Sequence, residues 1–282
     1  MKPPSNEIYM PRRDIAFDFV GEADSDWFQG SAFCSAYCDA LSSIFPVGER
    51  FFISSVQSQL PMIKDPALRA QIRDFSMQEA MHTREHEAYN AMLHGLGYDT
   101  ASLEARISVV LDNVRHPASR LATTLAIEHI TATLAHVVIA NPKMFGRCPA
   151  AYRDFWTWHA IEEIEHKGVA YDVFLDFASF MRPWKRYLLR CIAMIRATWI
   201  LHGVVLANLL HILKSRGLPV NYGLVFPGFW YGIGSPGIYR KGLPYFLRFF
   251  IPGFHPWKCG SNRGLKCWEN YFDRLAEKRG KT

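Results

Sequence analysis

Two Glu-x-x-His units, Glu79/His82 and Glu163/His166, carry the clearest chemistry in the chain. A helix turns by about 100° per residue, so residues three apart share a face and can offer one carboxylate and one imidazole to the same ion. Two further carboxylates, Glu49 in PVGERFFISSV and Glu128 in TLAIEHITATLAHVV, stand alone in apolar runs. The order is therefore Glu, Glu-x-x-His, Glu, Glu-x-x-His, each step roughly one helix plus a connection. One Glu from each of two helices and Glu-x-x-His from each of two more is how ferritin-like bundles hold two iron or manganese ions. Four carboxylates offset the four positive charges of two divalent ions, and the ions in turn keep buried carboxylates from repelling one another. Chance alone would give about half of one such pair in a chain of this composition. Both pairs lie mid-helix, and eight of the eleven histidines lie between 82 and 166. A metal centre is therefore favoured over solvated helix faces.

Other side chains refine the set. His159, Glu163 and His166 fall within about 60° of one helix face, which makes His159 the first choice for a seventh ligand. Glu79, His82 and His86 group in the same way. His86 could be a ligand, a partner behind the ligands or a proton carrier, and it is the candidate catalytic proton shuttle. His129 and His136 lie on a face rotated about 100° from Glu128, which suits outer or packing roles. Glu162 and Glu165 point away from Glu163 and are expected in solvent.

The elements that must position these groups read as helices. Residues 1–24 are polar and proline-containing, an expected extended arm. A helical pattern runs from Asp26 to Leu41, a second begins at Pro46, and Asp65-Pro66 opens a third that ends near Gly95 or Gly97. Further helices are expected over 101–114, over 117–139, from Pro149 to Arg182 and from Trp184 to Arg216. A Gly/Pro/aromatic tail follows, with a short helix near 265–278. Strand signals are absent, so the expected fold is all-α, a ferritin-like four-helix bundle with additional helices and a loop-rich C-terminal extension. Three regions follow: arm 1–24, di-metal bundle 25–181 and extension 182–282.

Charge divides the chain at the same place. The formal net charge is +6, but residues 1–181 hold 15 basic and 23 acidic side chains, whereas 182–282 hold 17 and 3. The apolar run WILHGVVLANLLHIL, 199–213, is shorter than the roughly 20 residues a spanning helix needs. Extending it back takes in Arg190 and Arg196. A helix packed on the bundle is the plain reading; an interfacial membrane helix or an apolar substrate tunnel is the other. The basic, aromatic segment suits an anionic membrane surface or an anionic head group, and nucleic acid is unlikely because no RNA-binding motif is present. No signal-like apolar run opens the sequence, and the six cysteines are scattered, so a reducing cytoplasm is expected, with peripheral membrane association as an option. Cys34 and Cys38 read as inert buried thiols. Cys259 and Cys267 lack the partners of a zinc site.

These residues also carry a resemblance. Residues 12–180 resemble the bacterial family catalogued as predicted metal-dependent hydrolases, through RRDIAFDF, FPVGERFFISSV, QEAMHTREHEAYN, LAIEHITATLA and WHAIEEIEHKGVAYDV, with PGFHPW at 252–257 similar to that family's ending. The ligand order is also similar to the di-iron p-aminobenzoate N-oxygenase group. By that resemblance Glu49, Glu79, His82, Glu128, His159, Glu163 and His166 would be the ligands.

The sequence thus favours a di-iron carboxylate oxidoreductase, using O2 and an unspecified electron donor on a small or medium apolar or acyl-type substrate. The first alternative is a metal-dependent hydrolase whose paired ions activate water, with manganese or zinc in place of iron. The second is a non-catalytic metal-binding, membrane-associated protein. A homodimer is an open option.

Overall fold

The computed structural model describes residues 10–19, 24–258 and 265–279. Eleven α-helices occupy them, with short 3-10 turns and one π-helical turn, Trp230–Gly234, between, and no strand among the described residues. The helices are α1 Ala32–Ser42, α2 Phe45–Gln57, α3 Pro66–Gly95, α4 Thr100–Asp112, α5 Pro117–Ala140, α6 Ala150–His166, α7 Val169–Phe177, α8 Pro183–Ser215, α9 Tyr222–Phe229, α10 Ile238–Arg248 and α11 Leu265–Arg279.

Local chemistry sets most of their starts. Asp65 caps α3 by accepting from the Ala67 amide at 2.9 Å, with Pro66 in the first turn where its missing N–H costs nothing. Asp99 caps α4 through the Ser102 amide, and His116 caps α5 by accepting from Ala118 N at 3.2 Å ahead of Pro117. The helix expected from Asp26 starts later: residues 25–30 form turns, and Ser31 caps α1 by accepting from Cys34 N.

The core pairs α2 with α3, and α5 with α6 and the α7 segment that follows it. One helix was expected from Pro149 to Arg182; instead the chain breaks at Lys167-Gly168. A contact distant in sequence sits at that break. The Trp257 ring lies against Gly168 so closely that a Cβ there would be 2.3 Å from Trp257 Cε2. Trp257 Nε1–H donates to Asp172 Oδ2 at 3.0 Å, and His255 Nε2 lies 3.0 Å from Asp172 Oδ1. The PGFHPW phrase is thus a latch on α7.

The extension packs over this core, α8 across α1 and α5, α10 on α5 and α11 on α6. Buried residues of both regions join one continuous cluster, Met194, Leu209, Phe249 and Phe272 among them. Both α5 and α8 are long and apolar enough to cross a membrane, but 72% of the α5 window is buried against only 28% for α8. So α5 is the core helix, while α8 keeps an apolar face outward. Of the expected arm, 10–19 is extended and packed inward through Ile15 and Phe19; 1–9 and 20–23 lie outside the described residues, as does Cys259.

Candidate metal centre

Four helices bring the acid and imidazole groups together: α2 supplies Glu49, α3 supplies Glu79, His82 and His86, α5 supplies Glu128, and α6 supplies His159, Glu163 and His166. None is more than 4% exposed. Their donor atoms form two adjacent groups. Glu79, His82, Glu163 and His166 lie within 4.8 Å of one another, and so do Glu49, His86 and His159. Glu163 links them, with Oε1 3.1 Å from His159 Nε2 and 3.8 Å from His82 Nδ1. Glu128 stands at the edge of the first group, its Oε2 3.1 Å from His166 Nδ1, while His166 Nε2 is 3.4 Å from Glu79 Oε1.

Whether ions fit here can be judged from what these atoms lack. Both oxygens of Glu49 and of Glu79, Glu128 Oε1, His82 Nδ1, His159 Nε2 and His166 Nε2 are buried without a hydrogen-bond partner. An unpaired buried carboxylate is costly, and several side by side are costlier still. Burial, then repulsion from neighbouring glutamates, drives the Glu79 carboxyl well above its usual range; burial leads for Glu49 too, and takes Glu128 up to about 7. Burial also pushes the His82 and His86 imidazoles well below theirs. Two groups run the other way. Burial opposes the charged forms of Glu163 and His166, yet His159, His166 and Thr131 hold Glu163 low, and Glu128 and Glu163 lift His166 to about 9. Paired divalent cations satisfy this donor set: carboxylate oxygens and imidazole nitrogens, buried, converging and unpartnered.

The hydrogen-bond order sorts His86 from His159. Asn90 Nδ2 donates to Ser42 O, so its Oδ1 accepts from Ser42 Oγ at 3.0 Å, which leaves Ser42 Oγ to accept from His86 Nδ1 at 2.9 Å. His86 Nε2 then carries the lone pair and accepts from His159 Nδ1–H at 3.1 Å. His159 Nε2 is left free to face the cluster, with His86 behind it.

An outer layer fixes His82. Glu162 Oε2 lies 3.1 Å from His82 Nε2, behind the ring whose Nδ1 lies 3.9 Å from Glu79 Oε2 and 3.8 Å from Glu163 Oε1. Glu162 and Glu165, expected in solvent, are buried. Segment 10–19 and α11 cover that face of α6, and Arg13, itself fully buried, grips Glu165 through two bonds of 2.7 and 2.8 Å. Arg13 also donates to Glu162 Oε1 at 3.3 Å and to Asp273 Oδ1 at 2.7 Å, while Gln78 donates to Glu165. Sequence periodicity missed Arg13; its place in RRDIAFDF was the available signal. His129 and His136 take packing roles, His129 against Phe249 and Phe254 and His136 stacked on Tyr245.

A chamber of about 520 Å³ opens from the cluster, touching His159 and Glu163 at its inner end. Its walls are almost wholly apolar, with Ile127, Leu134 and Val138 of α5 facing Phe33 and Leu41 of α1. At the outer end stand Leu206 of α8, Phe229 of α9, Ile233 and Tyr239. Cys34 and Cys38 line it with thiols that burial holds protonated.

No curated protein and no solved structure matches the chain. The family described as predicted metal-dependent hydrolase matches residues 11–260, which span the metal cluster, Arg13 and the latch at 252–257. With a buried Glu/His cluster inside that span, the chain belongs to the predicted metal-dependent hydrolase family.

Proposed function

We propose that the chain is a dinuclear metal-dependent hydrolase that cleaves an acyl bond in a substrate with a long apolar chain. The observation that carries this reading is the meeting of an apolar chamber with the His159/Glu163 side of the donor cluster. The family assignment supports hydrolysis as the reaction. When bound, a pair of divalent ions supplies Lewis-acid polarisation and a water of lowered pKa. The chain's own residues do the rest. Glu49, Glu79, Glu128 and Glu163 neutralise the charge, and His82, His159 and His166 complete the donors. The chamber walls align the apolar chain and exclude bulk water, which strengthens every electrostatic interaction at its inner end. His86, held neutral by burial and steadied at Nδ1 by Ser42, accepts the Nδ1–H of His159 at Nε2 and so orients His159 toward the donor cluster.

A second reading, O2-dependent oxidation with two irons and an external electron donor, is favoured by the donor set itself: four glutamates with histidines on four helices, beside a largely apolar chamber. One experiment separates them. Protein purified without oxygen is analysed for metals, then offered nitrophenyl esters of increasing chain length while O2 uptake is followed. Metal-dependent ester turnover that rises with chain length, without O2 uptake, supports hydrolysis. Two irons per chain with O2 uptake and new near-ultraviolet absorption on exposure to air overturns it for oxidation.

A further inference from the structure

The outward face of α8 is the least explained surface of the molecule. Trp184, Leu188, Ile192, Ile195, Trp199, Leu206 and Leu210 are all exposed. At about 100° per residue they fall within about 80° of one another, a stripe some seven turns long. Lys185, Arg196 and Lys214 lie along one border of that stripe, at about 100–120° on the same wheel. The adjoining side of α8, at about 240–340° on the same wheel and including Leu213 at the helix end, is committed to protein. Met194, Val205, Leu209, Ile212 and Leu213 are buried, and Asn208 donates to Ser43 Oγ and Leu103 O at 3.0 and 3.1 Å. A helix so divided lies along an interface instead of crossing it.

The neighbouring elements continue the face. Phe226 and Phe229 of α9, Trp230, Ile233, and Leu243 and Leu247 of α10 are exposed. The chamber mouth lies between α8 and these residues, since Leu206, Phe229 and Ile233 are both exposed and chamber-lining. From 182 to 268 the chain contains no Asp or Glu, while α10 carries the exposed Arg240, Lys241 and Arg248. A second copy of this face would set two carboxylate-free basic surfaces against each other. Anionic lipid complements both the charge and the apolar stripe.

We propose that the outer face of α8, α9 and α10 docks on a bilayer rich in anionic lipid, and that the chamber mouth at that face admits an acyl chain directly from the bilayer. Docking is independent of the reaction catalysed; acyl entry rests on the reading of the chamber as the substrate site.

The test uses the metal-loaded full chain and vesicles of phosphatidylglycerol mixed equally with phosphatidylcholine, against phosphatidylcholine alone. Sedimentation should show at least about tenfold tighter association with the anionic vesicles, weakened by 0.5 M salt, roughly as a basic apolar face requires. The triple variant Trp199→Ser/Leu206→Ser/Phe229→Ser should lose about tenfold or more of that association with metal content and helicity unchanged. A fluorescent polyene fatty acid should bind the parent chain, and Leu134→Trp, which fills the chamber, should cut its binding about tenfold while vesicle association persists. Association with neither vesicle, or equal association of parent and triple variant, overturns docking. Self-association that the triple variant abolishes, without vesicle binding, reassigns the face to a second copy and also overturns it. Fatty-acid binding unaffected by Leu134→Trp overturns acyl entry. Docking and fatty-acid binding without any ester turnover would leave this proposal standing and remove the hydrolase reading alone.

Discussion

Between Glu49 and His166 the molecule gathers acid and imidazole into its interior, whereas from Pro183 onward it turns apolar side chains outward and carries no carboxylate until Glu269. The first arrangement inverts the usual distribution of charge, and the second inverts the usual distribution of hydrophobic surface. Each inversion is costly for an isolated chain; divalent cations would offset the first and, under the docking proposed above, an anionic bilayer the second. The two also differ in how they should respond to substitution. Interior positions are coupled through shared contacts, while positions on the outer face are nearly independent for stability.

That contrast can be broken most sharply at the cluster. Glu163→Ala, which removes the carboxylate common to both donor groups, should lower bound metal from about two ions per chain to about one or none, with loss of activity, as read by elemental analysis. Retention of both ions would mean that Glu163 is not a ligand. Arg13→Ala comes next. It leaves Glu162 and Glu165 buried and unpaired, at a cost of about 3–5 kcal/mol in denaturant unfolding. Metal affinity should fall about 10–100-fold because His82 loses its orientation. Arg13→Lys should recover only part, since a single ammonium cannot reproduce the two-pronged grip on Glu165.

Gly168→Ala should cost about 1–3 kcal/mol by driving a methyl group into the Trp257 ring. Measured alongside Trp257→Ala and the double variant, it should show strongly non-additive effects; additive losses would mean that the latch does not bend the helix.

A smaller effect separates pH response from metal binding. Burial pushes Asp39 up to about 7, although Tyr89 and Trp27 both donate to its Oδ1. A carboxyl whose folded pKa exceeds its unfolded value of about 3.9 favours the folded state fully below that value and loses this contribution as pH rises toward 7. Asp39→Asn should therefore flatten part of the decline in melting temperature between about pH 4 and 7. An unchanged profile would place that titration on another group. On the outer face, Trp199→Ser should change stability by no more than about 0.5 kcal/mol, and a larger loss would mean that the stripe is part of the fold.

What could be read from sequence was local. Asp65-Pro66 and His116-Pro117 mark helix starts because cap and first turn are contiguous in the chain. The Glu-x-x-His pairs were visible because i, i+3 spacing needs no tertiary knowledge. The same periodicity put Glu162 and Glu165 in solvent, since it sees one helix and not the segments laid over it by 10–19 and α11. The packing at Gly168 was hidden because the ring laid against it, Trp257, lies about ninety residues on. The place of His86 behind His159 depends on a hydroxyl of α1, which no spacing on α3 reveals. The chamber was only one of several readings for the apolar C-terminal segment, because a lined void arises from how α1, α5, α8 and α9 are set apart.

Arg13 touches residues drawn from two distant parts of the polypeptide, Glu165 in the middle and Asp273 near the close of the described chain. During synthesis the guanidinium emerges early and waits for partners made much later. The imidazole of His82 therefore receives its backing only after α6 has been threaded, and the clamp is completed only once α11 has left the ribosome. The backing of the metal-facing imidazole thus depends on contacts that only the nearly complete chain can supply.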